Sequence, residues 1–167
     1  DASKALKKFG LSSNEPVLTP VGGRAEDISA ILAVIDAGGV AVPFHRKSHR
    51  DTRSNIESAT SARFVLSTPD HEKRGTPSPI RISKTLPPKR PLLDGAAMIT
   101  YTSGSTGKPK GVVLSRNKIS AKLDAICEAI EMVSSPVAMV PLQLQFSFGQ
   151  WATFLPLMMG GTVHITA

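Results

Sequence analysis

The chain has 167 residues, of which 41% are apolar and 20% are charged, and its formal net charge is +7. This balance is that of a globular domain and excludes a mainly disordered chain, while the single cysteine, Cys127, excludes an internal disulfide and a multi-cysteine zinc site. No apolar run approaches the roughly 18 residues of a membrane span and no signal-peptide pattern opens the chain, so we predict a soluble, cytoplasmic protein without a membrane span.

Residues 1–68 alternate helical and strand patterns and are predicted to form a first α/β segment. Four apolar side chains at the spacing i, i+3, i+4, i+7 predict a helix over 24–37. We expect it to end at Gly38-Gly39, because glycine readily adopts the left-handed conformation of a helix terminus. The segment continues with a short buried strand, VAVP, that Pro43 is expected to end, a helix over 51–60 and a strand over 63–67.

Residues 69–95 are predicted to be a linker or a long extended connection, because they contain six of the 13 prolines and show little periodicity. Together with the string HRKSHRDTR at 45–53, this region carries most of the excess positive charge. We interpret that charge as solvated loop charge rather than as a binding surface. His45 and His49 belong to the same string and are not assigned to a metal, because the neighbouring basic side chains would repel a cation.

Residues 96–167 are predicted to form a second α/β segment. Its predicted elements are strands over 96–102, 111–115, 137–142 and 162–166 and helices over 117–134 and 149–159, the second kinked or turned early at Pro156. The strings AVIDAGGVAV and PLMMGGTVHI match each other as helix end, glycine pair and strand. Strands that alternate with helices predict an α/β fold with a mainly parallel sheet and helices on both faces.

The loop between the first two strands of this segment carries the most chemistry. The string YTSGSTGKPKG at 101–111 holds four hydroxyl side chains besides the tyrosine, three glycines and two lysines. Glycines let backbone N–H groups converge on an anion, and lysines add charge-assisted bonds to phosphate. It is not a Walker A loop, because two residues separate Gly104 from Gly107 and Pro109 follows Lys108. A plain Ser/Gly-rich turn is the alternative, but it gives no reason for both lysines.

The string YTSGSTGKPKGVVLS closely resembles the phosphate-loop signature of the adenylate-forming superfamily, the AMP-dependent synthetases and ligases. Its members include acyl-CoA synthetases, adenylation domains of nonribosomal peptide synthetases and luciferases. AILAVIDAGGVAVPF and PLQLQFSFGQWATFLPLMMGGTVHI resemble two further segments of the same family. The resemblance implies that the chain is an incomplete part of the large N-terminal lobe of such an enzyme.

The resemblance also implies a reaction. A carboxylate would attack ATP to give an acyl-adenylate and pyrophosphate, and the acyl group would then pass to a thiol such as coenzyme A. Lys108 is the predicted catalytic residue, because its charge would stabilise the leaving pyrophosphate. The predicted phosphate contacts are Thr102, Ser103, Gly104, Ser105, Thr106, Gly107 and Lys108, with Lys110 as a weaker member. The family's magnesium glutamate, ribose aspartate and C-terminal lysine have no counterpart here, so we expect no metal ligand in this chain and no activity of the fragment alone.

The third matching segment contains the predicted substrate pocket, formed by Phe146, Ser147 and Trp151. Ser147 stands where amino-acid-activating members carry the aspartate that holds the substrate ammonium. A hydroxyl cannot replace that carboxylate, so we favour a carboxylic acid without an α-amine, and hence an acyl-CoA synthetase over an amino-acid adenylation domain. Simple core packing of Phe146, Phe148 and Trp151 is the open alternative.

The alternative outside the family is a basic nucleic-acid-binding module, which predicts aromatic side chains interleaved with Lys and Arg. From Val133 to the end the chain has four aromatic residues but no Lys or Arg, so we predict no nucleic-acid partner. The predicted partners are ATP and a carboxylic acid. A sheet edge and apolar surface left exposed by truncation would also favour self-association.

Overall fold

The computed structural model of the chain describes residues 1–68, 80–82, 90–102 and 109–166, with only the main chain of Arg81. The strands in these ranges are β1 (Pro16–Val21), β2 (Val40–His45), β3 (Phe64–Leu66), β4 (Ile80–Ile82), β5 (Ala96–Thr102), β6 (Lys110–Ser115), β7 (Val137–Val140) and β8 (Thr162–Ile165). The helices are α1 (Ala2–Lys8), α2 (Ala25–Asp36), α3 (Arg50–Thr60), α4 (Arg116–Ala129) and α5 (Ser147–Met158), with a 3-10 turn at Pro91–Leu93.

Six of the strands form one sheet in the order β4-β3-β1-β2-β5-β6. The four inner strands are parallel, whereas the edge strands β4 and β6 run antiparallel to their neighbours. β7 and β8 form a separate parallel pair. Because β2 pairs with β5 at Ala41 and Met98, the two predicted α/β segments share the larger sheet.

The apolar core lies on both faces of the larger sheet. On one face, α1, α2, α4 and α5 each bury an apolar side chain in a single cluster, and these side chains are Leu6, Ile31, Leu123 and Phe154. On the other face, Ile56 of α3 and Leu93 of the 3-10 turn cover a second cluster. Burying such a side chain stabilises the fold by about 1.5–3 kcal/mol relative to exposing it. The predicted α/β fold, with a mainly parallel sheet and helices on both faces, is confirmed.

The glycine joints have the predicted form. Gly38 has φ of 90° and follows α2, and Gly160 has φ of 72° and follows α5. Both values lie in the left-handed region, where a side chain would be strained. The chain therefore leaves each helix through glycine and enters a strand directly.

Several predicted boundaries are wrong. Pro43 does not end β2, which runs on to His45 with Pro43 opposite Thr19 of β1, since the fixed φ of proline suits extended backbone. α4 ends at Ala129 rather than at residue 134, because Glu131 has φ of 48° and turns the chain out of the helix. Pro156 lies inside α5, and the helix continues to Met158 without the early turn, whereas the alternative of a kink at Pro156 stays a prediction.

Parts of the predicted connection at 69–95 can be placed. Ile80–Ile82 forms the edge strand β4, and Pro91–Leu93 forms the 3-10 turn. Residues 69–79 and 83–89 lie outside the described residues, and the division into two segments and a linker stays a prediction. Among the residues that the structure describes, no helix is both long and apolar enough to cross a membrane.

Candidate active site

The predicted phosphate loop leaves the sheet at the carboxyl end of β5 and returns along β6. Thr102 is paired with Lys110 across the two strands, and its hydroxyl donates to the Lys110 carbonyl at 3.4 Å. Both side chains are exposed. The predicted contacts Ser103, Gly104, Ser105, Thr106, Gly107 and Lys108 lie outside the described residues, so their roles stay predictions. The structure does fix the two ends of the loop side by side.

The face of β5 that carries Thr102 is the face covered by α5. Residues two apart on a strand share a face, and the Thr100 hydroxyl donates to Gln150 Oε1 of α5 at 3.1 Å. Further down the strand, Met98 and Phe154 line the same apolar cavity of about 460 Å³. Helix α5 therefore runs antiparallel to β5, and its first turn lies at the edge from which the loop emerges.

The first turn of α5 contains the predicted substrate residues. Phe146 is the N-cap and is 53% exposed, and Ser147 and Phe148 are also exposed. Trp151 is only 7% exposed, and the Lys122 ammonium of α4 lies 4.6 Å from the centre of its ring. Trp151 is therefore packed in the core, whereas Phe146 and Phe148 are not. No side chain caps this helix end in the described part of the chain, and its first N–H groups carry partial positive charge.

A tight turn holds this helix end in place. The Cβ of any residue larger than glycine at position 149 would lie 2.3 Å from the carbonyl oxygen of Gln143. The chain before α5 therefore passes directly against the helix. This backbone contact helps to fix Phe146 and Ser147, whose own side chains are exposed.

Sequence reasoning missed Gln150. Its side chain is completely buried, accepts from Thr100 and donates through Nε2 to the Leu144 carbonyl at 3.0 Å. A buried amide needs such partners, because an unpaired polar group in the core is costly. The only signal in the sequence was a polar residue one helical turn before the core residue Phe154.

Sequence reasoning also misjudged Arg46, which was assigned to solvated loop charge. Its Nη2 lies 2.8 Å from Oδ1 of Asp27, whose side chain is fully buried. Thr68 completes the cluster, since its hydroxyl donates to Asp27 at 2.6 Å and its carbonyl accepts from Arg46 at 2.9 Å. The three residues follow or flank β1, β2 and β3 at their carboxyl ends, where strand order reverses and α/β proteins often bind ligands. In this chain an internal ion pair lies at that position.

Tyr101 lies on the opposite face of β5 from Thr100 and Thr102. It packs over Gly111 of β6, where a Cβ would lie 3.2 Å from the tyrosine ring. Burial raises the pKa of the Tyr101 phenol above its ordinary value of 10.0, and the nearby charge of Arg90 opposes that rise. The phenol therefore stays neutral at physiological pH.

The family assignment follows from the whole chain. The family described as AMP-binding enzyme matches residues 1–167. The chain belongs to the AMP-binding enzyme family. The predicted membership of the adenylate-forming superfamily is thereby confirmed.

Relatives of this AMP-binding enzyme chain include both nonribosomal peptide synthetases and CoA ligases. It is 29% identical to the nonribosomal peptide synthetase valB of Aspergillus terreus, over 93% of this chain and 6% of that protein. It is also 29% identical to the malonate–CoA ligase of Arabidopsis thaliana, over 93% of this chain and 30% of that protein. The chain thus spans less than a third of either curated relative.

A solved structure shows the same fold. The O-succinylbenzoate coenzyme A synthetase MenE of Bacillus subtilis, in complex with ATP and a magnesium ion, superposes with a TM-score of 0.74 at 20% identity. The match covers 97% of this chain and 47% of the MenE chain. At this identity the comparison establishes the fold alone.

Proposed function

We propose that the chain forms the pyrophosphate-binding part of an AMP-forming carboxylate–CoA ligase that acts in the cytoplasm. The observation that carries the proposal is that the base of the phosphate loop and the first turn of α5 both lie at the carboxyl end of β5. The loop 103–108 starts and ends at the paired residues Thr102 and Lys110, and the first turn of α5 lies at the same edge. Because the chain belongs to the AMP-binding enzyme family, ATP and a carboxylic acid are the two substrates that we assign to these features.

In the proposed reaction, a carboxylate oxygen attacks the α-phosphorus of ATP, and the bond to the pyrophosphate oxygen breaks. Negative charge grows on the leaving pyrophosphate, and donors fixed beforehand stabilise such charge most effectively. The loop offers hydroxyl and backbone N–H donors with the ammonium of Lys108, and Lys110 stands at its base. The sulfur of a thiol, for which we propose coenzyme A, then attacks the acyl carbonyl carbon, the bond to the AMP oxygen breaks so that AMP leaves, and the thiol proton passes to solvent.

Magnesium would neutralise charge on the phosphates of bound ATP. In the ranges that the structure describes, no three His, Cys, Asp or Glu side chains are grouped to hold a metal ion. Lys110 suits phosphate oxygens rather than a cation, because its side chain carries a positive charge. We assign magnesium no ligand among these residues.

The proposed acid lacks an α-amine. Ser147 offers no carboxylate to an ammonium group, and residues 133–167 contain no Asp or Glu that could replace one. The exposed rings of Phe146 and Phe148 suit an apolar or aromatic acid. An amino-acid adenylation domain is the second candidate, favoured by the valB similarity, and it requires an acidic residue from another part of the site.

Pyrophosphate exchange into ATP tests the proposal. The intact protein should catalyse exchange with an apolar monocarboxylic acid and not with the matching α-amino acid. Lys108→Ala should slow exchange about tenfold to hundredfold, the effect of one charge-assisted hydrogen bond. Lys4→Ala, an exposed lysine on α1, is the matched control and should leave exchange unchanged.

The outcomes separate the candidates. If the protein catalyses exchange with amino acids only, the proposed function changes from an acyl-CoA ligase to an amino-acid adenylation domain. Exchange that is equally fast in Lys108→Ala and in wild type would remove the lysine from the site. Absence of exchange with every acid tried would overturn the proposed function itself.

A further inference from the structure

One buried side chain connects the two parts of the proposed site. Gln150 accepts from the Thr100 hydroxyl at 3.1 Å and donates to the Leu144 carbonyl at 3.0 Å. Thr100 stands two residues before Thr102, the base of the loop. Leu144 stands two residues before Phe146, the first predicted substrate residue. A single amide therefore joins the root of the phosphate loop to the root of the substrate segment.

The surroundings make this connection stiff. Gln150 is fully buried, and Thr100 and Leu144 are nearly so. Water cannot easily replace either hydrogen bond there, so a break in one leaves a buried polar group without a partner. The next residue toward the helix start, Gly149, lies against the Gln143 carbonyl so closely that the turn has no room to move inward.

We propose that Gln150 is a positioning residue that holds Thr102, at the base of the phosphate loop, and the substrate segment in a fixed mutual position. It touches neither substrate. Through Thr100 it sets where the loop begins, and through Leu144 it sets where Phe146 and Ser147 stand. The inference rests on the proposed function, because it assigns one substrate to each of the two segments that the amide joins.

The test removes the Thr100 hydroxyl without changing the shape of the side chain. Thr100→Val deletes one hydrogen bond to Gln150, and Thr100→Ser retains it. Thr19→Val is the matched control, since Thr19 is a buried strand threonine whose hydroxyl has no hydrogen-bond partner among the described residues. All three variants are made in the intact protein, and thermal melting shows that each is folded.

Hydrogen–deuterium exchange measures the connection without any substrate. In Thr100→Val we expect amide exchange across 143–149 to rise about threefold to tenfold, the range expected for one lost buried hydrogen bond. Thr100→Ser and Thr19→Val should leave this segment at the wild-type rate. An equal rate in Thr100→Val and Thr19→Val would overturn the inference, because β5 would then not hold the turn.

Steady-state pyrophosphate exchange measures the consequence for the site. Thr100→Val should raise KM for ATP and KM for the acid together, each by about threefold to tenfold. A merely structural role would lower kcat through loss of folded enzyme and leave both KM values unchanged, which would also overturn the inference. If wild type shows no exchange with any acid, the proposed function fails, and hydrogen–deuterium exchange alone decides whether Gln150 fixes the two segments.

Discussion

Replacement of Asp27 by asparagine tests the buried ion pair at the carboxyl edge of the sheet. One carboxylate oxygen accepts from the backbone N–H of Gly22 at 2.7 Å and of Arg24 at 3.1 Å. The other accepts from the Thr68 hydroxyl at 2.6 Å and from Arg46 at 2.8 Å. An asparagine has the same shape but only one accepting oxygen. In either orientation of the amide, its NH2 group faces two hydrogen-bond donors, either the two backbone N–H groups or Thr68 and Arg46.

The expected loss is large. In the wild-type protein each carboxylate oxygen of Asp27 accepts from two donors, and the variant loses one of these oxygens. It also loses the negative charge that faces Arg46. Breaking a buried ion pair by removing one partner costs about 3–5 kcal/mol. The Arg46 side chain is 19% exposed and keeps the Thr68 carbonyl as an acceptor, so we expect the lower end, about 3 kcal/mol. That is a large share of a typical total stability of about 5–15 kcal/mol.

Urea unfolding followed by circular dichroism measures the effect. With a slope of about 1–3 kcal/mol per molar urea, the midpoint of Asp27→Asn should fall by about 1–3 M. Asp51→Asn is the control, because Asp51 is exposed, and it should leave the midpoint within experimental error. If Asp27→Asn unfolds at the wild-type midpoint, the stabilising role of the buried pair at this edge is refuted.

Three further outcomes are expected. Gly149→Ala should lower the thermal midpoint although alanine favours helices, because its Cβ would overlap the Gln143 carbonyl and overpacking costs about 1–3 kcal/mol; an unchanged or higher midpoint would contradict this. Because the pKa of Tyr101 is raised in the folded state, stability should fall as pH rises above 10.0, and Tyr101→Phe should remove that fall in urea titrations at several pH values. Lys122→Met should cost about 0.5–1 kcal/mol or less through loss of the contact with Trp151, and a loss of several kcal/mol would mean that this lysine has another structural role.

The local pattern of the sequence was sufficient to predict much of the fold. The apolar spacing over 24–37 predicted α2 because Ile28 and Ile31 are buried on one helix face, although Leu32 of the same pattern is exposed. The end of α4 could not be predicted in the same way, since the apolar spacing continues to Val133 while the left-handed Glu131 turns the chain out of the helix. The helix α1 and the strand β1 were not predicted individually, because neither shows an extended periodic pattern.

The same contrast applies to the candidate site, where features with a local sequence pattern could be predicted and features that depend on distant partners could not. The loop could be recognised because phosphate binding needs glycines, hydroxyls and lysines within a short stretch. Gln150 and Arg46 were missed or misjudged because their roles depend on partners far away in sequence, Thr100 and Asp27. A glutamine in an apolar stretch and an arginine in a basic string carry no local sign of such partners. The pairing of β1 with β2 brings Arg46 to Asp27, and the packing of α5 on β5 brings Gln150 to Thr100.

The pairing of β2 with β5 also has a consequence for how the chain folds. β5 and β6 form a local antiparallel pair, and β1, α2 and β2 form a compact neighbouring unit, so both can arise early from contacts close in sequence. β2 meets β5 only after a long stretch of chain has been brought back to the sheet. Such distant parallel pairing forms slowly, because the entropy of closing the intervening chain is lost before the contact is gained. We therefore expect the closure of β2 on β5 to be the rate-limiting step of folding, and variants at Ala41 or Met98 to slow refolding more than variants within the β5–β6 pair.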